Sequence, residues 1–264
     1  MKKSLIKGMV VATSLVAPAM AADLPLKAPV AAPAVVAPSA YYWTGFYLGG
    51  NAGYGWGRTD DSVNGLPPPA FVGDPFGVGA SPGGFLGGGQ VGYNFQNQSI
   101  VYGIEADFDG ANVKGRGLKA PLTFLGIPIP GSNSTIQTRL NSFGTIRGRL
   151  GVAVPGNSNL LIYATGGWAY DHLKDSSVTT FPALATTTYV GGTSGWQSGW
   201  AAGGGFEYAL NEKWSFKIEY LYVDLGGRNY IASPLAPNPP FAVAHQLNDF
   251  TMHTVRAGIN FKLN

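Results

Sequence analysis

Eight charged residues sit at alternate positions in segments that read as strands: Glu105 and Asp107, Arg147 and Arg149, Glu207, Lys217 and Glu219, and Arg256. Glu105 and Asp107 have the spacing of two carboxylates on one strand face. General acid–base work would need one of them raised in pKa beside a substrate cleft. Arg147 and Arg149, equally spaced, could hold an anion. Four acids and four bases of this kind favour a different outcome: nearby guanidinium groups keep carboxylates ionised, so mutual pairing is expected in place of catalysis or anion binding. Histidine adds little. His172, His245 and His253 are the only three, and the absence of Cys removes thiolate metal sites, disulfides and a thiol nucleophile. His172 follows Asp171 directly, but adjacent strand residues point to opposite faces, which defeats a His–acid dyad. Gly87 to Gly92 fits G-x-G-x-x-G. A dinucleotide site needs that motif to open a helix, whereas Tyr93, Asn94 and Phe95 continue a strand. Glycine for close backbone approach is the expected role.

The elements that must carry these residues alternate with a period of two. Phe46, Leu48, Gly50, Ala52, Tyr54 and Trp56 alternate with Tyr47, Gly49, Asn51 and Gly53. Further segments set Phe85, Val91, Tyr93 and Phe95 against Gln90 and Asn94; Tyr102, Ile104, Ala106 and Phe108 against Glu105 and Asp107; and Ile146, Leu150 and Val152 against Thr145, Arg147 and Arg149. Leu160 to Asp171 is apolar on both faces and its register stays open. Trp200, Phe206 and Tyr208 oppose Glu207; Trp214, Phe216, Ile218, Tyr220 and Tyr222 oppose Ser215, Lys217 and Glu219; Val255, Ala257, Ile259, Phe261 and Leu263 oppose Thr254, Arg256, Asn260 and Lys262. Long connections rich in Gly, Pro, Ser and Asn (57–83, 114–136, 173–195, 225–249) alternate with short ones (96–99, 153–158, 211–213). Long loops at one end and tight turns at the other are the pattern of an outer-membrane barrel. The prediction is an all-β chain: an eight-stranded antiparallel transmembrane β-barrel, apolar outside and charged inside. Aromatics should form two belts. Trp43, Tyr93, Phe95, Trp214 and Phe261 mark the turn end, and Tyr54, Trp56, Trp168, Tyr170, Trp196 and Tyr222 the loop end.

Composition agrees. Only 12% of the 264 residues are charged and 39 are Gly, which disfavours a helical bundle; 12% aromatics disfavour disorder. Lys2, Lys3 and Lys7, an apolar stretch from Gly8 to Ala17, and Ala19-Met20-Ala21 read as a signal peptide over residues 1–21. Residues 22–42, with Pro25, Pro29, Pro33 and Pro38, read as a periplasmic linker, and 43–264 as the barrel. Setting aside the three signal lysines leaves 14 basic and 14 acidic residues, a balance unsuited to nucleic acid. No cofactor and no metal are expected.

Several stretches resemble a known family: Trp43 to Trp56, Gly84 to Phe95, Phe143 to Gly151, Ala164 to Gly167, Gly205 to Leu210, and Lys217 to Gly226. They are similar to the small outer-membrane proteins of alphaproteobacteria, the RopB-like porin family related to the OmpA barrel domain. The resemblance implies a monomeric eight-stranded barrel. It would be delivered by the barrel-assembly machinery, surrounded by outer-membrane lipids, active in envelope integrity, and able to meet host surface molecules through its loops. A narrow porin is the alternative. Haemin binding, described for some relatives, is a second; His172 and His245, with loop residues Tyr189 and Tyr230, are the candidate ligands. The family's terminal aromatic is replaced here by Leu263 and Asn264.

Overall fold

Strict alternation of side chains from Gly45 onward builds one sheet that closes on itself. The structure, a computed structural model, describes residues 41–66, 75–182, 187–235 and 242–263. The signal segment and most of the linker lie outside the described residues. The strands are β1 (Gly45–Leu66), β2 (Phe76–Ala80), β3 (Gly83–Asn97), β4 (Ile100–Lys119), β5 (Leu122–Phe124), β6 (Ile127–Ile129), β7 (Asn133–Val154), β8 (Asn157–Phe181), β9 (Thr187–Ala209), β10 (Trp214–Asp224), β11 (Arg228–Pro234) and β12 (Ala242–Lys262). Antiparallel pairing runs β1–β3–β4–β7–β8–β9–β10–β12 and returns from β12 to β1, a ring of eight. β2 precedes β3 in the same wall position, broken at Ser81-Pro82, and pairs with β1 through Thr59 to Val63. β11 likewise follows β10 beyond a break at Gly226, whose φ of 66° suits glycine, and lies between β9 and β12. β5 and β6 form a separate hairpin in the β4–β7 connection.

The long connections of the sequence reading are mostly strand. β1 continues to Leu66, β4 to Lys119 and β8 to Phe181, while β7 starts at Asn133, β9 at Thr187 and β12 at Ala242. Gly, Pro, Ser and Asn read as loop there. Side chains there nevertheless keep the period of two, with Ser134, Thr138, Ser177 and Thr179 buried between half-buried or exposed neighbours. The wall therefore rises well beyond the lipid. β8 also acquires a register: Leu161, Tyr163, Thr165, Ala169 and Asp171 face inward, and Ile162 and Trp168 outward.

Outward apolar residues form the lipid-facing band, among them Leu48, Val91, Ile104, Leu150, Phe206, Ile218 and Ile259, each 48–67% exposed. Its inner edge carries Phe95 beside Tyr102 (5.5 Å) and Trp214 beside Phe261 (4.9 Å). Its outer edge carries Trp56 on His253 (5.8 Å), Trp168 beside Tyr170 (5.1 Å) and Trp200 beside Tyr222 (5.4 Å). On β8 the band ends at Tyr170, because Lys174 and Ser176 then face outward. Trp43 corrects the predicted belt. It is buried in the inner mouth, where its indole Nε1 donates to the Ser158 carbonyl (3.0 Å) and its ring meets Tyr41 edge-on (4.7 Å). Tyr41 and Tyr42 are also engaged, through Ser158 and Gln96, so barrel packing starts two residues before the boundary read at residue 43.

Ile218 lies midway between Trp214 and Tyr222 on β10, at the centre of the band. Ile218→Arg should destabilise the barrel by about 2–4 kcal/mol in urea unfolding from lipid vesicles. Val190→Arg, on an outward position far above the belt, should cost about 0.5 kcal/mol or less. Equal costs would show that the band is misplaced.

The lumen as candidate functional site

An eight-stranded barrel leaves an interior wide enough only for side chains. Here the inward residues fill it in successive layers. At the turn end Trp43, Val101, Ala153, Leu161, Tyr163 and Ala209 form an apolar floor. Above it lies a buried charge network. Arg147 is central: Nη2 reaches Glu105 (2.8 Å) and Asp107 (3.0 Å), Nη1 reaches Glu219 (2.9 Å), and Nε donates to Thr145 (2.7 Å). Arg256 joins Asp109 (2.9 Å), Asp107 (3.2 Å) and Glu219 (2.6 Å). Lys217 Nζ bonds both oxygens of Glu105, at 2.8 and 2.9 Å. Arg149 pairs with Glu207 (2.6 Å) and lies over the Tyr163 ring, 4.1 Å from its centroid. Tyr47 donates to Glu105 (2.8 Å) and accepts from Arg149 (2.9 Å). Ser215 and Asn260 both donate to Glu207.

All eight residues singled out from the sequence meet in this layer. Asp109, fully buried on Arg256, is a ninth member that the sequence reading left out. Its parity with Glu105 and Asp107 was the signal that could have found it. Every cation here touches at least one carboxylate. No carboxylate therefore stands apart as a general acid, and no arginine is free to take a ligand. The Gly87 to Gly92 stretch lies within β3. A methyl group on Gly92 would collide with the Tyr47 ring, and one on Gly88 with the backbone at Phe108. Close approach explains these glycines.

Above the charges is a second apolar plug, including Leu140, Phe143, Leu173, Leu221, Val223, Phe250 and Met252. A polar lumen is what the sequence predicts, because Leu173 falls in the connection read over 173–195 and Leu140 and Phe250 only flank the connections read over 114–136 and 225–249. Beyond the plug comes another polar layer, already outside the lipid. His245 Nδ1 meets Asp61 (2.6 Å), its Nε2 meets Ser177 (3.2 Å), and the Tyr230 ring stacks on the imidazole at 4.8 Å. Arg228 is 3.6 Å from Asp175. Asp171 is not part of this layer, since it lies on the inward face of β8 between the plug residues Ala169 and Leu173. Burial raises the Asp175 carboxyl above its ordinary value, with Arg228 opposing the rise. The top layer is Val63, Leu122, Phe181, Tyr189, Ala232 and Val243; Leu122 comes from the β5–β6 hairpin.

Ser177, His245 and Asp61 are connected in the order of a hydrolase relay. Ser177 and His245 are each only 1% exposed beneath the top layer, so no substrate carbonyl reaches the Ser177 hydroxyl. The two proposed haem ligands separate. His172 faces outward beside Trp196 (5.4 Å), whereas His245 points inward with both ring nitrogens engaged. Tyr189 and Tyr230 are buried. Among the described residues no three His, Asp or Glu side chains converge as a metal ion requires.

Comparison with known proteins places this architecture. The family described as "Outer membrane protein beta-barrel domain" matches residues 10–261. A 31 kDa outer-membrane immunogenic protein of Brucella melitensis is 34% identical, over 92% of this chain and 93% of its own. A 25 kDa outer-membrane immunogenic protein of Brucella canis is 27% identical, over 97% and 98%. A 22 kDa outer membrane protein of Rhizobium leguminosarum is 28% identical, over 71% and 67%.

Arg147→Met should cost about 3–5 kcal/mol in urea unfolding, because it strands Glu105, Asp107 and Glu219 without their shared partner. A loss below about 1 kcal/mol would mean that the network adds little. Asp175 gives a pH test. Burial raises its folded-state pKa above an unfolded value of about 3.9. Its contribution is therefore fully present below about pH 4 and lost as pH rises through the raised value. Asp175→Asn should leave the urea midpoint unchanged near pH 4 and raise it at pH 8. A lower midpoint at pH 8 would show that Arg228 holds the carboxylate ionised.

Proposed function

The chain belongs to the outer-membrane β-barrel family, and from that premise we propose that it serves the envelope as a closed structural barrel displaying a raised outer end, without conduction or catalysis. It resides in the outer membrane, as its family does. The observation that carries the proposal is the filled lumen: apolar floor, charge network, apolar plug, polar layer and apolar cap succeed one another along the axis. A conducting pore needs a continuous wet path. Here the charges satisfy one another, and Leu140, Phe143, Leu221 and Met252 follow directly above them.

The tall outer wall and the β5–β6 hairpin are the parts offered to the exterior. The hairpin carries Phe124, Leu125 and Ile127 on its exposed side. The Brucella relatives are named immunogenic, which fits a wall displayed at the cell surface, and contact with host surface molecules would occur there. Insertion by the barrel-assembly machinery and life as a monomer complete the reading.

Planar-bilayer recording tests it. The wild-type protein should show no steady current. Arg147→Ala combined with Arg149→Ala should destabilise the barrel and still give no stable channel, since the second plug remains. Large, reproducible steps from wild-type protein would overturn the proposal in favour of a porin.

A further inference from the structure

Just above the outer aromatic belt, on the outside of the wall, three cations stand opposite one another on three adjacent strands. Lys114 on β4 pairs in register with Arg139 on β7, and Arg139 with Lys174 on β8. All three are exposed, and Arg116 extends the group along the outer face of β4. Like charges directly opposite in a sheet repel, with side chains about 5 Å apart. No acid on these strands relieves them, and on the other side of β4 the outward Asp60 of β1 stands across β2 and pairs with Arg58. The outward positions of β4, β7, β8 and β9 above the belt contain no Asp or Glu; Asp171 and Asp175 on β8 face inward and are buried. None of these four cations makes an ion pair with a described residue, in contrast to Arg58, which has Asp60 at 3.5 Å. The row is thus a one-signed patch on a chain whose other buried and exposed charges are largely matched.

Its height identifies what could match it. Lys174 lies four residues beyond Tyr170, the end of the lipid band on β8. At about 3.3 Å per residue and a tilt of about 40°, that is roughly 10 Å above the belt. Headgroups lie at that level, while free solutes contact the whole outer end alike. We infer that Lys114, Arg139 and Lys174 form a binding site for the phosphate-bearing headgroup of an outer-leaflet lipid. Arg139 at the centre engages phosphate through its fork and the flanking lysines act as point charges. Apolar Trp168 and Tyr170 below would lie along the acyl chains.

The inference uses the orientation adopted above but not the absence of conduction. Its test uses nanodiscs with the same lipids in both leaflets, so neither orientation nor pore behaviour affects the outcome. Wild-type protein goes into phosphatidylcholine nanodiscs containing a small fraction of lipid A, and retained lipid A is counted by native mass spectrometry. Lys114→Gln/Arg139→Gln/Lys174→Gln should lower lipid A affinity roughly 10- to 100-fold, and the wild-type preference should shrink with added salt. Arg139→Gln alone should give a partial loss and serves if the triple variant fails to fold. Arg58→Gln/Lys213→Gln, which removes exposed bases elsewhere, should retain lipid A. Equal retention by the triple variant or an equal loss in this control would overturn the site. So would displacement of lipid A by an equal concentration of inorganic phosphate, or binding of the soluble polyanion heparin without preference for lipid A.

Discussion

Closure of the sheet is the constraint on which everything else rests. In hydrocarbon, water cannot satisfy a backbone N–H or C=O, so every strand must find a partner on both sides. Pairing of β1 with β12, from Tyr47 opposite Lys262 out to Leu66 opposite Ala242, removes the last free edge. Eight strands then set the radius, and the radius leaves room for side chains alone. From this follow the glycines at crowded inward positions, such as Gly92 against Tyr47, and the need for each inward polar group to find a partner within the barrel.

That need explains the form of the charge layer. A single ion taken into the lumen would carry a desolvation cost of several kcal/mol. Arg147 offsets its own by meeting three carboxylates, and Glu105 by meeting Arg147, Lys217 and Tyr47. The partners come from β1, β4, β7 and β10, so the network ties opposite walls together across the axis. Such a network adds specificity more surely than net stability, since a slip of one residue in any strand would turn its charge toward lipid. The apolar floor and plug on either side keep water from competing with these pairs.

Above the lipid the same wall continues, but its logic changes. Outward positions become mixed, with Lys174 and Ser176 beside exposed Val178 and Val190, whereas the interior still alternates polar and apolar layers: His245 with Asp61 and Ser177, then the cap containing Leu122. The upper barrel is thus a paired wall with a filled centre. Its strand register sets the row of cations over β4, β7 and β8.

Much of this was legible in the sequence, because one face of each strand is oily and the other charged. Period-two alternation determined the membrane-level strand positions, their inside and outside faces, and eight of the nine charged residues of the charge layer, and with the long and short connections it gave the eight-stranded count. Leu160 to Asp171 defeated that reasoning: with both faces apolar, only pairing with β7 and β9 decided that Leu161 and Tyr163 point inward. The upper wall was also hidden, since Ser, Thr and Gly compose loops and polar strands alike, and what distinguishes them is a paired neighbour. Trp43 looked like a belt residue until the chain entering the barrel was seen to fold across its mouth. Which acid meets which base depends on distances across the axis, between residues up to 149 positions apart. Composition fixes the number of such charges and alternation fixes the face they occupy. Only the closed tertiary structure decides their partners, because strand stagger and barrel radius set which side chains meet at the centre.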